Sequence, residues 1–345
     1  MANPLRIGFL GAGLSATYHS KSLHRSGALV TRAGVFDPDI QRAADFAAAS
    51  GHTVLDNEDE VIDTCDALYI CTWTSEHPRQ LAKALAAGRH VFCEKPLATT
   101  LHEAERMATL ARSAGLTHQV GLSLRYSPAY LWAKHLLYMP DSGAVMSVIF
   151  RDDQLSPVQG HDESAWRGDK ALAGTGTLLA HSIHDVDMLR YFVGEVASVS
   201  ASTASFHGID GTEDVAAATL TFTNGAIGTL NSVWHDNLAR PSLRRVELFC
   251  QRRYVVIEGD DWDGPVSWTD ADGTSGSLCG DDLETAVAPL RTRCPNPDGA
   301  FIESAINNEP AYPDLTVAVA AHRIVESMYL SANQGGAPMP VHRER

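Results

Sequence analysis

The stretch LRIGFLGAGLSATYHSKSL, residues 5–23, constrains the fold more than any other part of the chain. Leu5 to Leu10 is a short apolar run with the composition of a parallel strand. It turns through Gly11-Ala12-Gly13 and enters a helical pattern with Ala16 at the third position of a G-x-G-x-x-A motif. Gly11 permits the tight turn, Gly13 lets a pyrophosphate approach the backbone, and the small Ala16 lets helix and strand pack closely. The helix N-terminus adds N–H groups and a favourable dipole for phosphates. A second apolar run, Ala33-Gly34-Val35-Phe36, ends at Asp37, 26 residues after Gly11. A carboxylate at that strand end accepts hydrogen bonds from the adenosine ribose hydroxyls and repels a 2′-phosphate. Neither Pro38 nor Asp39 supplies a compensating cation, so the expected cofactor is NAD rather than NADP. The competing reading makes Asp37 the N-cap of the helix IQRAADFAAA.

Strands and helices go on alternating. DALYICTW reads as a strand, HPRQLAKALAAG as a helix closed by Gly88, HVFCEKP as a strand, LHEAERMATLARSAG as a helix ending at Gly115, and THQVGLSLRYSP as a return to the sheet. Repeated β-α units at this spacing predict a doubly wound parallel sheet, with ligands bound at the carboxyl ends of its strands. Glu94-Lys95-Pro96 falls at such an end. A lysine is costly to desolvate and a proline cannot continue the ladder, so the turn reads either as a solvated stop or as part of the cofactor crevice.

Beyond about residue 140 the texture changes to consecutive strands: Val145 to Phe150, Val199 to Phe206, Ala216 to Thr223, Ala226 to Trp234, Val246 to Cys250 and Tyr254 to Glu258. Asn224-Gly225 signals a type I′ hairpin between two of them. The fold class expected is therefore α/β followed by α+β: a Rossmann-type domain over residues 1–124, then a substrate-binding and oligomerisation domain on a mostly antiparallel sheet over 125–345, whose C-terminal helix could return to the first domain. The segment from Glu258 to Glu284 carries seven aspartates but no complete calcium-loop pattern, and reads as a solvated loop. PDLTVAVAAHRIVESMYLSANQGG reads as one long helix.

Composition narrows the function. A net charge of −15 disfavours nucleic acid and anionic membranes as partners. No apolar run is long enough to cross a bilayer and the N-terminus shows no signal-peptide pattern, so the expectation is a soluble, cytoplasmic chain. None of the six cysteines forms a C-x-x-C pair, which points to reduced, structural thiols rather than zinc.

In WRGDKALAGTGTLLAHSIHDVDMLRYFVG, His181, His184 and Asp187 recur every three residues and can share one side of a helix. A polar helix face, a pair of core histidines and a metal site are the competing readings; no cysteine or further carboxylate is placed to complete the last, and no metal is expected.

With these residues in view, the chain resembles the glucose–fructose oxidoreductase/inositol dehydrogenase family (Gfo/Idh/MocA) over nearly its whole length. The resemblance rests on Gly11 and Gly13, CEKPLA, RYSP at Arg125 to Pro128, Trp166-Arg167, G-x-G followed by HSIHDVD, and the tail from FIESAINNEP onward. It implies that Lys95 sits beside the nicotinamide and the reacting hydroxyl, that Lys95-Pro96 is a cis bond, and that His184 is the general acid/base. On this basis the cofactor-binding residues expected are Gly11, Ala12, Gly13, Leu14, Ser15, Asp37, Thr72, Trp73, His77, Glu94 and Lys95. The substrate residues expected are Arg125, Trp166, His181 and His184. Many sugar and polyol dehydrogenases of the family carry an aspartate four residues before the histidine; here that position is Ala180, and His181 or Asp187 could substitute. The resemblance also implies a dimer or tetramer formed through the second-domain sheet. The activity implied is NAD-dependent oxidation or reduction of a sugar, cyclitol or related polyol, with a non-catalytic NAD-binding sensor as the alternative.

Overall fold

The computed structural model describes residues 4–157, 165–237, 239, 241–259 and 262–342. The chain divides into two compact units: Met1–Leu122, Ala171–Gly174 and Arg293–Val319 form one, and Ser123–Lys170, Thr175–Thr292 and Ala320–Arg345 the other. The first unit includes two later stretches, one of them carrying Phe301 and Ile302, apolar helical residues with no local sign of which core they join.

The first unit opens with β1 (Leu5–Leu10), α1 (Leu14–Arg25), β2 (Val30–Phe36), α2 (Ile40–Ser50), β3 (Thr53–Val54), α3 (Glu58–Thr64), β4 (Ala67–Ile70), α4 (His77–Ala86), β5 (His90–Cys93), α5 (Leu101–Ala114) and β6 (His118–Val120). Among the described residues its strands form one parallel sheet in the order β3-β2-β1-β4-β5-β6. Leu68, Ile70, Val91 and Cys93 point into one apolar layer with Leu81 and Met107. Ile7, Phe9, Tyr69 and Phe92 point into the other, with Ala16, Phe46 and Phe301. Burial on both faces is why these strands read as continuous apolar runs. Phe9 and Tyr69 stack at 4.7 Å between centroids and Tyr69 and Phe92 at 5.0 Å, three neighbouring strands contributing one ring each.

The second unit contains α6 (Pro128–Leu137), β7 (Val145–Leu155), α8 (Thr177–Ala180), α9 (Ile183–Val193), β8 (Val196–Ala204), β9 (Val215–Phe222), β10 (Ile227–His235), β11 (Leu243–Cys250), β12 (Arg253–Glu258), β13 (Val266–Asp270), β14 (Ser275–Leu278) and α10 (Gly280–Val287), while the short α7 (Lys170–Ala173) falls mostly in the first. Then α11 (Pro297–Asn307) belongs to the first unit, α12 (Leu315–Asn333) is the expected long helix, and β15 (Met339–Pro340) closes the chain. The sheet runs β14-β13-β12-β11-β7-β10-β9-β8-β15; only β7 and β10 pair in parallel among its described strands. One face buries Val148, Phe150, Leu220, Leu230, Val246 and Leu248 against Phe192 and Met328.

Two local expectations change. The acidic stretch is no loop: its described residues fold into β13, β14 and the start of α10, because VSWTD alternates and pairs with Ser275–Leu278 around a turn at Gly273; Asp260 and Asp261 lie outside the described residues. At Asn224-Gly225 only Gly225 has a positive φ, +90°. Gly225 N–H donates to the Phe222 carbonyl, and Phe222 N–H donates to the Ala226 carbonyl. That is a three-residue connection with a bulge glycine, not a type I′ turn.

Candidate active site

The carboxyl ends of β1, β2, β4 and β5 lie in one row in the first unit, with the topological switch between β1 and β4. Gly11 sits at φ +88°, and a Cβ there would lie 2.6 Å from the Cys71 carbonyl oxygen, so only glycine fits. A Cβ on Gly13 would meet no protein atom within 4 Å. The next residue starts α1, with no side-chain cap and no acidic residue in its first turn. Its dipole and leading N–H groups are thus available to an anion. Gly11 to Ser15 fit a pyrophosphate on both counts.

Asp37 is 7% exposed; Oδ2 accepts from Ala12 N–H at 2.9 Å and Oδ1 from Asp39 N–H at 2.9 Å. The N-cap of α2 is Asp39, whose Oδ1 accepts from Gln41 and Arg42 N–H, and this removes the capping reading of Asp37. One helical turn on, Arg42 Nη1 stands 3.1 Å from Asp37 Oδ1, a cation that inspection of Pro38 and Asp39 alone does not reveal. At the end of β4, Thr72 Oγ1 donates to Gln80 Oε1 at 2.6 Å, and the Trp73 ring is partly exposed.

His77, one of the expected cofactor contacts, is engaged by the backbone. It is 1% exposed, with Nδ1 2.9 Å from the Pro96 carbonyl and Nε2 3.2 Å from the Thr72 carbonyl, and burial lowers its pKa. It ties two strand ends together and touches no open space. Glu94 is likewise engaged inward: Oε1 lies 2.6 Å from His19 Nε2 and Oε2 accepts Lys95 N–H at 3.0 Å. Lys95 is half-buried, and Lys95-Pro96 is cis.

In the second unit the histidine segment is not one continuous helix. Ser182 separates α8 from α9, and His184 N–H donates to the His181 carbonyl at 3.3 Å. A Cβ on Gly176 would collide with the Glu213 backbone. The Glu213 carboxylate accepts from Gly176 and Leu178 N–H, both at 2.9 Å, and from the Tyr329 hydroxyl at 2.8 Å, which fixes the start of α8.

His181 Nε2 lies 2.9 Å from Asp152 Oδ2 and 2.7 Å from Arg244 Nη2, and Arg244 Nε donates to Asp185 Oδ1 at 3.0 Å. Asp152 and Arg244 are direct cross-strand partners on β7 and β11. Burial raises both carboxyls; for Asp152, His181 and Arg244 outweigh it and hold the group well below the usual range. Asp185 is driven well above that range by burial and then by the neighbouring Asp152 charge. The two neighbouring carboxyls are thus pushed in opposite directions.

Asp187 does not partner His184. Its two oxygens accept from Arg125 Nε at 2.7 Å and Nη2 at 2.6 Å, and both side chains are buried. Arg125 also lies 5.0 Å from the Tyr191 ring. That makes Arg125, one of the expected substrate residues, part of a buried ion pair. Trp166 is half-buried, with the Arg167 guanidinium 4.8 Å from its ring. Asp152 and Arg244 were missed because only strand register brings them to His181, and Asp185 because Arg244 ties it to them. His19 and Asp298 were missed for a similar reason, being 279 residues apart.

A family model described as "Oxidoreductase family, NAD-binding Rossmann fold" matches residues 5–122, and the GFO/IDH/MocA C-terminal domain model matches 130–256. The chain belongs to the Gfo/Idh/MocA family of NAD-dependent oxidoreductases. Inositol 2-dehydrogenase of Cereibacter sphaeroides is 38% identical over 38% of this chain and 40% of its own length. 1,5-Anhydro-D-fructose reductase of Ensifer adhaerens is 27% identical over 83% of this chain and 78% of its own. Uncharacterized oxidoreductase YrbE of Bacillus subtilis is 29% identical over 67% and 68%. The chain thus spans well under half of the inositol dehydrogenase it matches and about two thirds to three quarters of the other two. The fold matches levoglucosan dehydrogenase in complex with NADH and levoglucosan at a TM-score of 0.89 and 21% identity, over 99% of this chain and 100% of that one.

Proposed function

We propose that the protein is an NAD-dependent dehydrogenase or reductase acting on a secondary alcohol or ketone of a sugar, cyclitol or related polyol. The observation that carries this reading is Lys95, half-buried at the end of β5, in the row of strand ends that also carries Gly11, Gly13 and Asp37. The names of the relatives, inositol 2-dehydrogenase and 1,5-anhydro-D-fructose reductase, support the substrate class. NAD, when bound, exchanges a hydride with the substrate carbon through its nicotinamide. Lys95 donates to the oxygen on which charge develops. His184 takes the hydroxyl proton during oxidation and returns it during reduction. Burial around Lys95 strengthens its electrostatic role by excluding water.

Turnover of a panel of cyclitols and sugars, followed by NADH fluorescence, tests the activity. Lys95→Met should lower kcat by about 10²–10³-fold with NAD affinity retained; unchanged turnover removes Lys95 from the mechanism. Wild-type protein that binds NAD and a sugar yet turns over none of the panel would favour the sensor.

A specific observation favours a second assignment of the proton transfer. His181 is partly exposed, and its Nε2 is held by the buried Asp152 carboxylate at 2.9 Å and by Arg244 Nη2 at 2.7 Å, an arrangement that orients the imidazole. Ala180 stands where many of the family carry an aspartate, and the His181–Asp152 couple is a histidine–carboxylate pair in the same segment.

Assembly follows from the open face of the second sheet. Ala217, Thr219, Thr221, Ile227, Thr229 and Asn231 alternate outward on β9 and β10, with Ile149 exposed on neighbouring β7. Lined by small and partly apolar residues, this face suits a second copy of itself in a homodimer or homotetramer. Light scattering at micromolar concentration should give a multiple of 37.2 kDa; the monomer mass rejects the assembly. Among the described residues no helix is long and apolar enough to cross a membrane. The six free cysteines and the use of NAD support a cytoplasmic site of action; a fractionation placing the protein outside the cytoplasm would refute it.

A further inference from the structure

His19 lies on α1, one helical turn beyond Ser15, and is 1% exposed. Each ring nitrogen meets a carboxylate: Nε2 is 2.6 Å from Glu94 Oε1, and Nδ1 is 2.8 Å from Asp298 Oδ1 on α11. Only the imidazolium can donate from both nitrogens at once. Burial opposes the charge, but Asp298 and Glu94 outweigh it and push the pKa of His19 up to about 10. Burial would raise Glu94 in turn, and His19 holds it below the usual range. The rest of the ring meets Tyr18, Tyr69 and Phe92, at 5.3, 5.7 and 4.6 Å between centroids. Burial keeps the Tyr69 hydroxyl neutral.

The second Glu94 oxygen accepts the Lys95 N–H. From the other side, a Cβ on Gly121 would lie 2.5 Å from Glu94 Oε1, so the chain leaves that carboxylate room. One side chain thus joins the phosphate-facing helix, the end of β5 and α11.

We infer that His19, bridging Glu94 and Asp298, is the positioning residue that fixes the Glu94–Lys95 peptide and so aims the Lys95 side chain. It touches neither substrate nor cofactor. The inference rests on the reading of Lys95 as the donor to the reacting oxygen. Its physical content is rigidity: a displacement of about 1 Å in a catalytic donor costs about 10²-fold in rate.

Two variants reach the clamp from opposite sides. His19→Gln removes the charge and one donor. Gly121→Ala pushes the Glu94 carboxylate while leaving His19 in place, and serves if the first variant does not fold. Both should lower kcat by about 10²-fold, with the dissociation constant for NADH, from fluorescence titration, changed by less than about threefold. Loss of thermal stability with kcat unchanged would mean that the clamp is merely structural and would overturn the inference.

Two readouts need no substrate. In ¹⁵N NMR both His19 nitrogens should stay protonated at pH 8, well above the ordinary histidine value of about 6.5; a neutral ring there overturns the bridge. In reductively ¹³C-methylated protein, the Lys95 resonance, assigned with Lys95→Arg, should shift in both variants. An unshifted resonance refutes the inference even if no polyol is turned over, an outcome that would by itself refute only the activity.

Discussion

The glycine cradle of the first unit and the histidine segment of the second are both short motifs at the start of a helix, yet they depend on the chain in opposite ways. In the cradle, Gly11, Gly13 and Asp37 act from their own strand ends, and a parallel sheet brings successive strand ends into one row. In the histidine segment the side-chain partners described come from afar: Asp152 from β7, Arg244 from β11, Arg125 from before α6. A parallel sheet lets a local motif imply its neighbours. An antiparallel sheet does so only once its register is known.

The largest expected effect separates the two histidines. His184→Ala should lower kcat/KM by about 10²–10⁴-fold and abolish the limb of the pH profile near neutrality. If His181 shares the acid/base role, His181→Ala and Asp152→Asn should each lower kcat with NADH affinity unchanged, whereas Asp185→Asn, at the carboxyl whose charged form burial and Asp152 both oppose, should be milder. Equal effects of the two Asp→Asn changes would undo the opposite roles given to the two carboxyls.

Next in size is the core ion pair. Arg125→Leu strands the buried Asp187 and should cost about 3–5 kcal/mol of stability in the second unit. NADH binding by folded protein should be unaffected. Calorimetry and fluorescence titration check the two halves, and weakened cofactor binding in the folded variant would contradict the independence of the cradle.

The smallest effect lies in the cradle. Asp37→Ala should reduce efficiency with NAD about tenfold, roughly 1.5 kcal/mol for one charge-assisted hydrogen bond. It should also improve NADP use, because Arg42 loses the carboxylate it now faces. Kinetics with both cofactors measure this; unchanged preference would take Asp37 out of ribose recognition.

Much of the fold was legible in the sequence because its signals are local. Buried parallel strands read as apolar runs, Gly51 and Gly115 end helices in the left-handed region, and the long C-terminal helix announces its period. The acidic stretch was misread because counting aspartates hid the alternation in VSWTD. The site was half legible. Lys95 and the glycines stand in motifs, but His77 looks the same on paper whether it binds a cofactor or two backbone carbonyls. Asp187 sits at a helical spacing that suits His184, and its commitment to Arg125 is a matter of packing that no spacing reveals.

The bond between His19 and Asp298 also has a consequence in time. The two residues are 279 positions apart, and the first unit is assembled from three separate stretches of chain. At about 5–20 residues per second of synthesis, the dinucleotide-binding unit waits on the order of tens of seconds, while the whole second unit except its C-terminal stretch is made, before α11 emerges to complete it. A gene fragment ending at residue 122 would encode every cofactor motif and still lack the partner that holds His19. The first unit is an early sequence but a late structure.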